Sequence, residues 1–297
     1  MKIFDCFTYC DEDLILNLRL NILKDYVDYF VIVESKFKHN GDVKNKNFNL
    51  DKYKKFKNKI IYIYIENEPK NIQKIQVDDE KGNLRSKLVH NTYLRENYQR
   101  NCIEKGLTNA NDNDFIIVSD VDEIPNLENV DFTKKKNSIF IFKQKMFYYK
   151  LNLLYEDFTW YGAKACKKSK LISPQWLRNT KNKKYSRFRL DLLFSNKKYS
   201  NIKFIEDGGW HFTNIKKPKE IFEKLNSFLH HVDFKESNLT YEKFKEFFND
   251  KRVFYDHSAS SKKINRWHSD KKLKKIDLKK LPNFLKKNQN EYKDWIE

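Results

Sequence analysis

Short apolar runs separated by helical spacing constrain this chain more than any other feature. Residues 29–34 (YFVIVE), 60–65 (IIYIYI) and 114–119 (DFIIVS) are β-branched and aromatic, and polar residues bound each one. A short run that is apolar on both faces reads as a strand buried on both faces. Residues 2–8 form a further β-prone run. Between these lie helical patterns. In 11–27, Leu14, Ile15, Leu18 and Ile22 recur at helical spacing behind Asp11 as candidate N-cap, 49–56 suits a short helix, and 84–107 reads as a long helix closed by Gly106. Strands alternating with helices predict an α/β fold with a mainly parallel central sheet. From about 138 to 212 the pattern is mixed, with strands expected at 139–142 and 145–153. After Pro218 it turns helical, at 219–231, 241–249 and 280–295. The expected organisation is a main domain over 1–215 and a basic helical extension, 216–297, packed on it.

Composition removes several classes. Of 297 residues, 15% are aromatic, which argues against disorder. No stretch approaches the ~20 apolar residues of a membrane-spanning helix. The N-terminus meets Asp5 early and does not read as a signal peptide. Cys6, Cys10, Cys102 and Cys166 are scattered, without zinc spacing, so a reducing compartment and a cytoplasmic location are expected. The net charge of +19 is almost all lysine in a chain also crowded with Asn and Ile. It is either compositional or a surface for polyanions: nucleic acid, an anionic bilayer or a phosphorylated substrate. Dispersed lysines without a recognised motif argue against nucleic acid.

The strongest chemical signal is FIIVSDVDEIP at 115–125. In an α/β sheet, ligands bind beyond the carboxyl ends of strands. Asp120 and Asp122, leaving such a strand, can both reach one hard divalent cation. The plainer alternative is an acidic turn. None of the six glycines forms a phosphate-binding loop, so a bound nucleotide would need a cation and Lys or Arg for its phosphates. A second signal is EDGGWHF at 206–212, where two glycines permit close approach, Trp210 can cover a ring and His211 can ligate a metal. Asp120, Asp122 and His211 together suit Mn²⁺ or Mg²⁺.

The chain resembles glycosyltransferase family 17, the β-1,4-N-acetylglucosaminyltransferase family that includes the enzyme making bisecting N-glycan branches. FDCFTYCDEDLILNLRLNIL near the start, DYFVIVESKFKHNG at 28–41, RENYQRNCIEKGL at 95–107, the DVDE block, and GGWHF with a following SFLHH carry the resemblance, and LPNFLKKN also fits. It implies a GT-A-like nucleotide-sugar-binding fold, a nucleotide-sugar donor (UDP-GlcNAc), a divalent metal and inversion at the anomeric carbon, with a glycan hydroxyl as acceptor. The sequence shows no apolar run like the animal members' N-terminal membrane anchor, so a Golgi location is not expected to carry over.

Within that frame Glu34 and Ser35 are candidates for holding the nucleoside. Arg95, Asn97, Gln99 and Arg100 form a polar helix face near Asp120, with a solvated surface as the alternative. Asp207 is the first choice of base for the acceptor hydroxyl, with Glu206, Asp157 and Asp191 competing. Trp160, Tyr161 and Trp210 either stack on sugars or belong to the core. His230 and His231 either contact phosphate or pack. The basic C-terminal helices are expected to touch an anionic bilayer carrying a lipid-linked glycan acceptor. A haloacid-dehalogenase-type phosphatase, with Asp120 as nucleophile and Asp122 as acid/base, is the rival enzyme class. It fits poorly because its DxD strand normally comes first and is followed by Thr.

Overall fold

Alternation of side chains along each strand decides which residues of this chain meet, because one sheet runs through most of it. The computed structural model describes residues 1–133, 139–192, 194–258, 266–267 and 269–297. The strands are β1 (Ile3–Tyr9), β2 (Tyr29–Ser35), β3 (Ile60–Ile65), β4 (Phe115–Asp120), β5 (Glu123–Pro125), β6 (Ile139–Tyr148), β7 (Leu153–Lys167), β8 (Ile202–Ile205), β9 (Gly209–Thr213) and β10 (Lys274–Lys275). The α-helices are α1 (Asp13–Leu23), α2 (Lys81–Asn101), α3 (Pro174–Asn179), α4 (Pro218–Leu225), α5 (His231–Glu236), α6 (Tyr241–Asn249) and α7 (Asn283–Lys287).

The order is β3-β2-β1-β4-β7-β6-β9-β5, with β8 beside β6 and β10 beside β7. β3, β2, β1 and β4 are mutually parallel. β7 then runs antiparallel to both β4 and β6, and β5 antiparallel to β9. The sheet is therefore mixed, which corrects the expectation of a mainly parallel one. The apolar runs reported their own burial but not their pairing: β7 and β6 are joined by a tight turn, and only a crossover would have made them parallel.

β1, β2 and β4 are buried on both faces, whereas the edge strand β3 is only half-buried. On one face Phe7, Phe30, Ile32, Phe115 and Ile117 pack under α1, with α7 beside it. On the other, Phe4, Val31, Val33, Ile116 and Val118 pack with Ile103, in the 3-10 segment that follows α2, and with Trp176 and Leu177 of α3. A third cluster joins Met146, Tyr148 and Tyr155 to Ile221, Phe244 and Phe247 of α4 and α6.

Local outcomes differ from expectation where packing competes with propensity. Asp11 does not cap α1. Glu12 stands at that position, with its carboxylate accepting from the backbone N–H groups of Cys10 and Asp11, while Asp11 pairs with Lys216. The helix expected over 280–295 is α7 followed by a 3-10 segment, Gln289–Trp295. Among the described residues, no helix is long and apolar enough to cross a membrane.

Candidate active site

β1, β2 and β4 end on one edge because they are parallel, and Thr8 is in register with both Val33 and Asp120. Glu12, Ser35 and the DVDE turn therefore crowd together there. This is the edge at which α/β sheets bind ligands.

The turn itself is held by Arg19 of α1. Its guanidinium pairs with Asp5 at 2.6 Å, both side chains fully buried. It donates to the carbonyls of Asp120, Val121 and Glu123 at 2.9–3.1 Å and to Ser119 Oγ at 2.6 Å. A buried cation thus satisfies the carbonyls that leave the sheet as β4 turns into β5, groups that would otherwise be costly to bury. Ser119 faces α1, and the two-residue period of a strand then sends Asp120 to the opposite face, toward α2 and α3.

There Asp120 meets two guanidinium groups. Arg100 donates to Oδ1 and Arg178 to Oδ2, each at 2.9 Å. Burial pushes the Asp120 carboxyl up, but Arg178 and then Arg100 outweigh it and hold it well below the usual carboxylate range. Arg178 also forks onto fully buried Glu123 at 2.5 and 2.8 Å. Glu123 in turn accepts from the Asp120 N–H at 2.9 Å and from Trp160 Nε1 at 2.5 Å. Gly162 makes room for this carboxyl: a Cβ there would lie 2.7 Å from Glu123 Cδ and 2.3 Å from Gln144 Oε1. Arg178 is positioned by Lys164, whose ammonium donates to the carbonyls of Arg178 and Thr180. Arg100 and Arg178 line a cleft of about 400 Å³ with Tyr93, Glu96, Asn97 and Gln175.

Asp122 points elsewhere. Its Oδ1 lies 3.5 Å from His211 Nε2, brought across by the β5–β9 pairing in which Glu123 faces His211. That separation exceeds a hydrogen bond and suits neighbouring ligands on one cation. His211 is buried, its Nδ1 has no hydrogen-bond partner, and its ring lies 4.8 Å from that of Trp160. Glu12 and Lys224 pair at 3.3 Å, and Asp122 helps to raise the Lys224 ammonium, after burial, which lowers it, and Glu12. Among the described residues, no three of His, Cys, Asp and Glu gather as a metal cluster. As donors, Asp122 and His211 fit a hard cation; Asp120 gives both its oxygens to arginines.

The other expected residues separate into those that line this edge and those that support it. Asn97 and Arg100 line the cleft, whereas Gln99 donates to the Val33 carbonyl and Arg95 chelates Glu68. Glu34 is fully buried and accepts from Lys44, Tyr62 and the N–H groups of Asn47 and Phe48, and Ser35 Oγ accepts from the Phe37 N–H. Both anchor the loop after β2, leaving Glu34 no capacity for a nucleoside. Trp210 packs in the core, on the face opposite His211. Gly209, at φ +124°, would drive a Cβ into the Ile124 carbonyl at 2.2 Å, so what that glycine approaches closely is β5, not a ligand. Asp207 and Glu206 lie before β9, beyond Pro125, exposed and paired with Lys145 and Lys143. Asp207 stands in the turn between β8 and β9, at φ +44°, and its side chain is turned to Lys145 and not to His211. Asp157 is exposed, and Asp191 pairs with Arg189 and Lys198 in a surface loop. Tyr161 packs on Phe204; His230 faces Asp233 and His231 the Phe228 carbonyl. Arg19, Glu123, Arg178, Glu12 and Lys224 escaped sequence reasoning, although Glu123 directly adjoins the DVD triplet.

With this geometry in place, the family model for glycosyltransferase family 17 matches residues 1–294, essentially the whole chain. The chain belongs to glycosyltransferase family 17. It is therefore a glycosyltransferase, which binds a sugar donor and an acceptor. No curated protein and no solved structure matches it. The family match lends no support to the phosphatase or the nucleic-acid reading.

Proposed function

We propose that this glycosyltransferase transfers N-acetylglucosamine from UDP-GlcNAc to a glycan hydroxyl with inversion, on a GT-A-like fold. The observation that carries the reading is the pairing of Asp122 with His211 at 3.5 Å beside an arginine-held Asp120, at the carboxyl end of β4. Asp122 and His211 are the residues that would hold Mn²⁺ or Mg²⁺, with donor phosphates completing the shell, as is usual for Mg²⁺. A cation there would supply Lewis-acid neutralisation of the departing diphosphate. The chain's own cations, Arg100, Arg178 and Lys224, add positive charge around the same edge. Arg100 and Arg178 also keep Asp120 ionised and fixed in place. Trp160 and Glu123 stiffen the His211 side of the site.

Glu96 takes over from Asp207 the role of candidate base. It lines the cleft, shares Arg100 with Asp120, and is only partly exposed. A base must lie within reach of the acceptor hydroxyl, and the exposed pairs of Asp207 and Glu206 lie off this edge.

The test is thermal unfolding of the full chain with a panel of nucleotide sugars, with Mn²⁺ or with chelator. Binding to the folded form raises stability by mass action. The expected result is a shift with UDP-GlcNAc and Mn²⁺ that chelator removes. An equal shift in chelator would refute the metal assignment, and a shift only with another nucleotide sugar would refute the donor.

A further inference from the structure

Among the described residues, the lysine-rich C-terminal helices expose no large apolar side chain. Three very bare apolar side chains instead share the loop between α3 and β8, residues 181–198, with sequence KNKKYSRFRLDLLFSNKK. Phe188 is 95% exposed, Phe194 91% and Leu190 76%. Folded chains seldom leave several large side chains this bare on one short segment.

The same segment carries seven cations, Lys181, Lys183, Lys184, Arg187, Arg189, Lys197 and Lys198, against one carboxylate, Asp191. Arg189 and Lys198 already neutralise that carboxylate at 2.8 Å. Arg189 lies over the Tyr185 ring at 5.4 Å, with Lys183 and Lys198 at 5.9 Å, so the cations are gathered at the loop's waist.

The loop is anchored at its base. The Lys181 N–H donates to the Lys197 carbonyl at 2.8 Å, the Tyr185 N–H to the Tyr199 carbonyl at 3.2 Å, and Trp176 of α3 donates to the Asn196 carbonyl at 2.6 Å. Lys181 and Lys197 also line the cleft that holds Arg100 and Arg178.

We propose that residues 181–198 dock on an anionic lipid bilayer, with Phe188, Leu190 and Phe194 entering the interface and the surrounding Lys and Arg facing acidic headgroups. Charge complementarity selects this occupant. Apolar side chains set among cations match a surface that is apolar inside and negative outside. A protein groove would ask for a contiguous apolar face, and a nucleic-acid strand would ask for aromatic rings in place of Leu190. Docking there would hold the cleft's rim against the membrane, where an acceptor on a lipid carrier is presented. The proposal stands apart from the donor and metal assignments and is tested without them.

The experiment is co-sedimentation of the full chain with phosphatidylcholine vesicles, with and without phosphatidylglycerol. The expected result is partitioning onto the anionic vesicles, weakened by salt, and about tenfold or more weaker in Phe188→Ser/Phe194→Ser. These side chains are nearly fully exposed, so that variant should melt like the wild type and keep its activity on a soluble acceptor. Equal binding to neutral vesicles, no binding to either, or undiminished binding by the double variant would overturn the proposal. Binding of single-stranded RNA that the double substitution abolishes, with vesicles ignored, would overturn it as well.

Discussion

Arg178 Nη2 stands 2.9 Å from Asp120 Oδ2 and 2.5 Å from Glu123 Oε1, linking the ends of the DVDE turn through one guanidinium. The carboxylates of that turn therefore have different chemistry. Asp120 and Glu123 are held by arginine, and Asp122 faces His211. The turn explains the split: β4 ends at Asp120 and β5 begins at Glu123, so Asp122 lies in the turn between them, where the β5–β9 pairing brings His211 across. It also separates their effects on substitution.

Asp122→Ala should abolish transfer and metal-dependent donor binding while leaving the melting temperature nearly unchanged, since Asp122 has little part in the arginine network. Chelator should likewise stop the wild type, and Mn²⁺ restore it. Turnover assays and melting curves on the same preparations check this. Wild-type-like turnover by the variant would remove Asp122 from the site.

Glu96→Gln should lower kcat by ~10²–10⁴-fold, the usual range for a lost general base, with donor binding retained. Single-turnover rates beside donor titrations check it. A loss confined to donor affinity would assign Glu96 to binding instead.

Arg19→Ala should cost about 3–5 kcal/mol, because it leaves fully buried Asp5 charged and unpaired. The carbonyls of Asp120, Val121 and Glu123 also lose their donor, so the turn loosens and activity falls with stability. Urea unfolding measures the cost. A destabilisation below about 1 kcal/mol would show that the buried pair matters little.

The Glu12 carboxyl is held at about 2, against 4.5 for a free one: burial raises it, and Lys224 and Lys216 more than compensate. A carboxylate whose pKa is depressed on folding contributes stability that is fully present above its unfolded value and lost as pH falls through the folded one. That contribution should persist down to about pH 4.5 and disappear toward pH 2. Lys224→Met should make the acid loss shallower in thermal melts taken across that window. An unchanged acid profile in that variant would mean that Glu12 is not held by Lys224.

Much of the backbone was legible in the chain. β3 lies at 60–65 and α6 at 241–249, as periodicity and composition indicate, and β1, β2 and β4 fall within a residue or two of their apolar runs. These signals are local: each run's apolar pattern reports its own burial. Asp120, Asp122 and His211 stood out by position and combination: two carboxylates directly after a buried apolar run, with a histidine downstream to complete a mixed O/N donor set.

Pairing and partners were decided only by the tertiary structure. Nothing near QWLRN distinguishes Arg178 from a surface arginine until α3 packs beside β4. Asp207 is close to His211 in sequence, yet it lies in the turn before β9 begins and pairs there with Lys145. Trp210 and His211 are neighbours in the chain and lie on opposite faces of the sheet. The chain by itself determined where strands form and which chemistry it carries. The fold decided which of those groups meet, because register and facing depend on contacts between residues far apart in the chain, which no local pattern encodes.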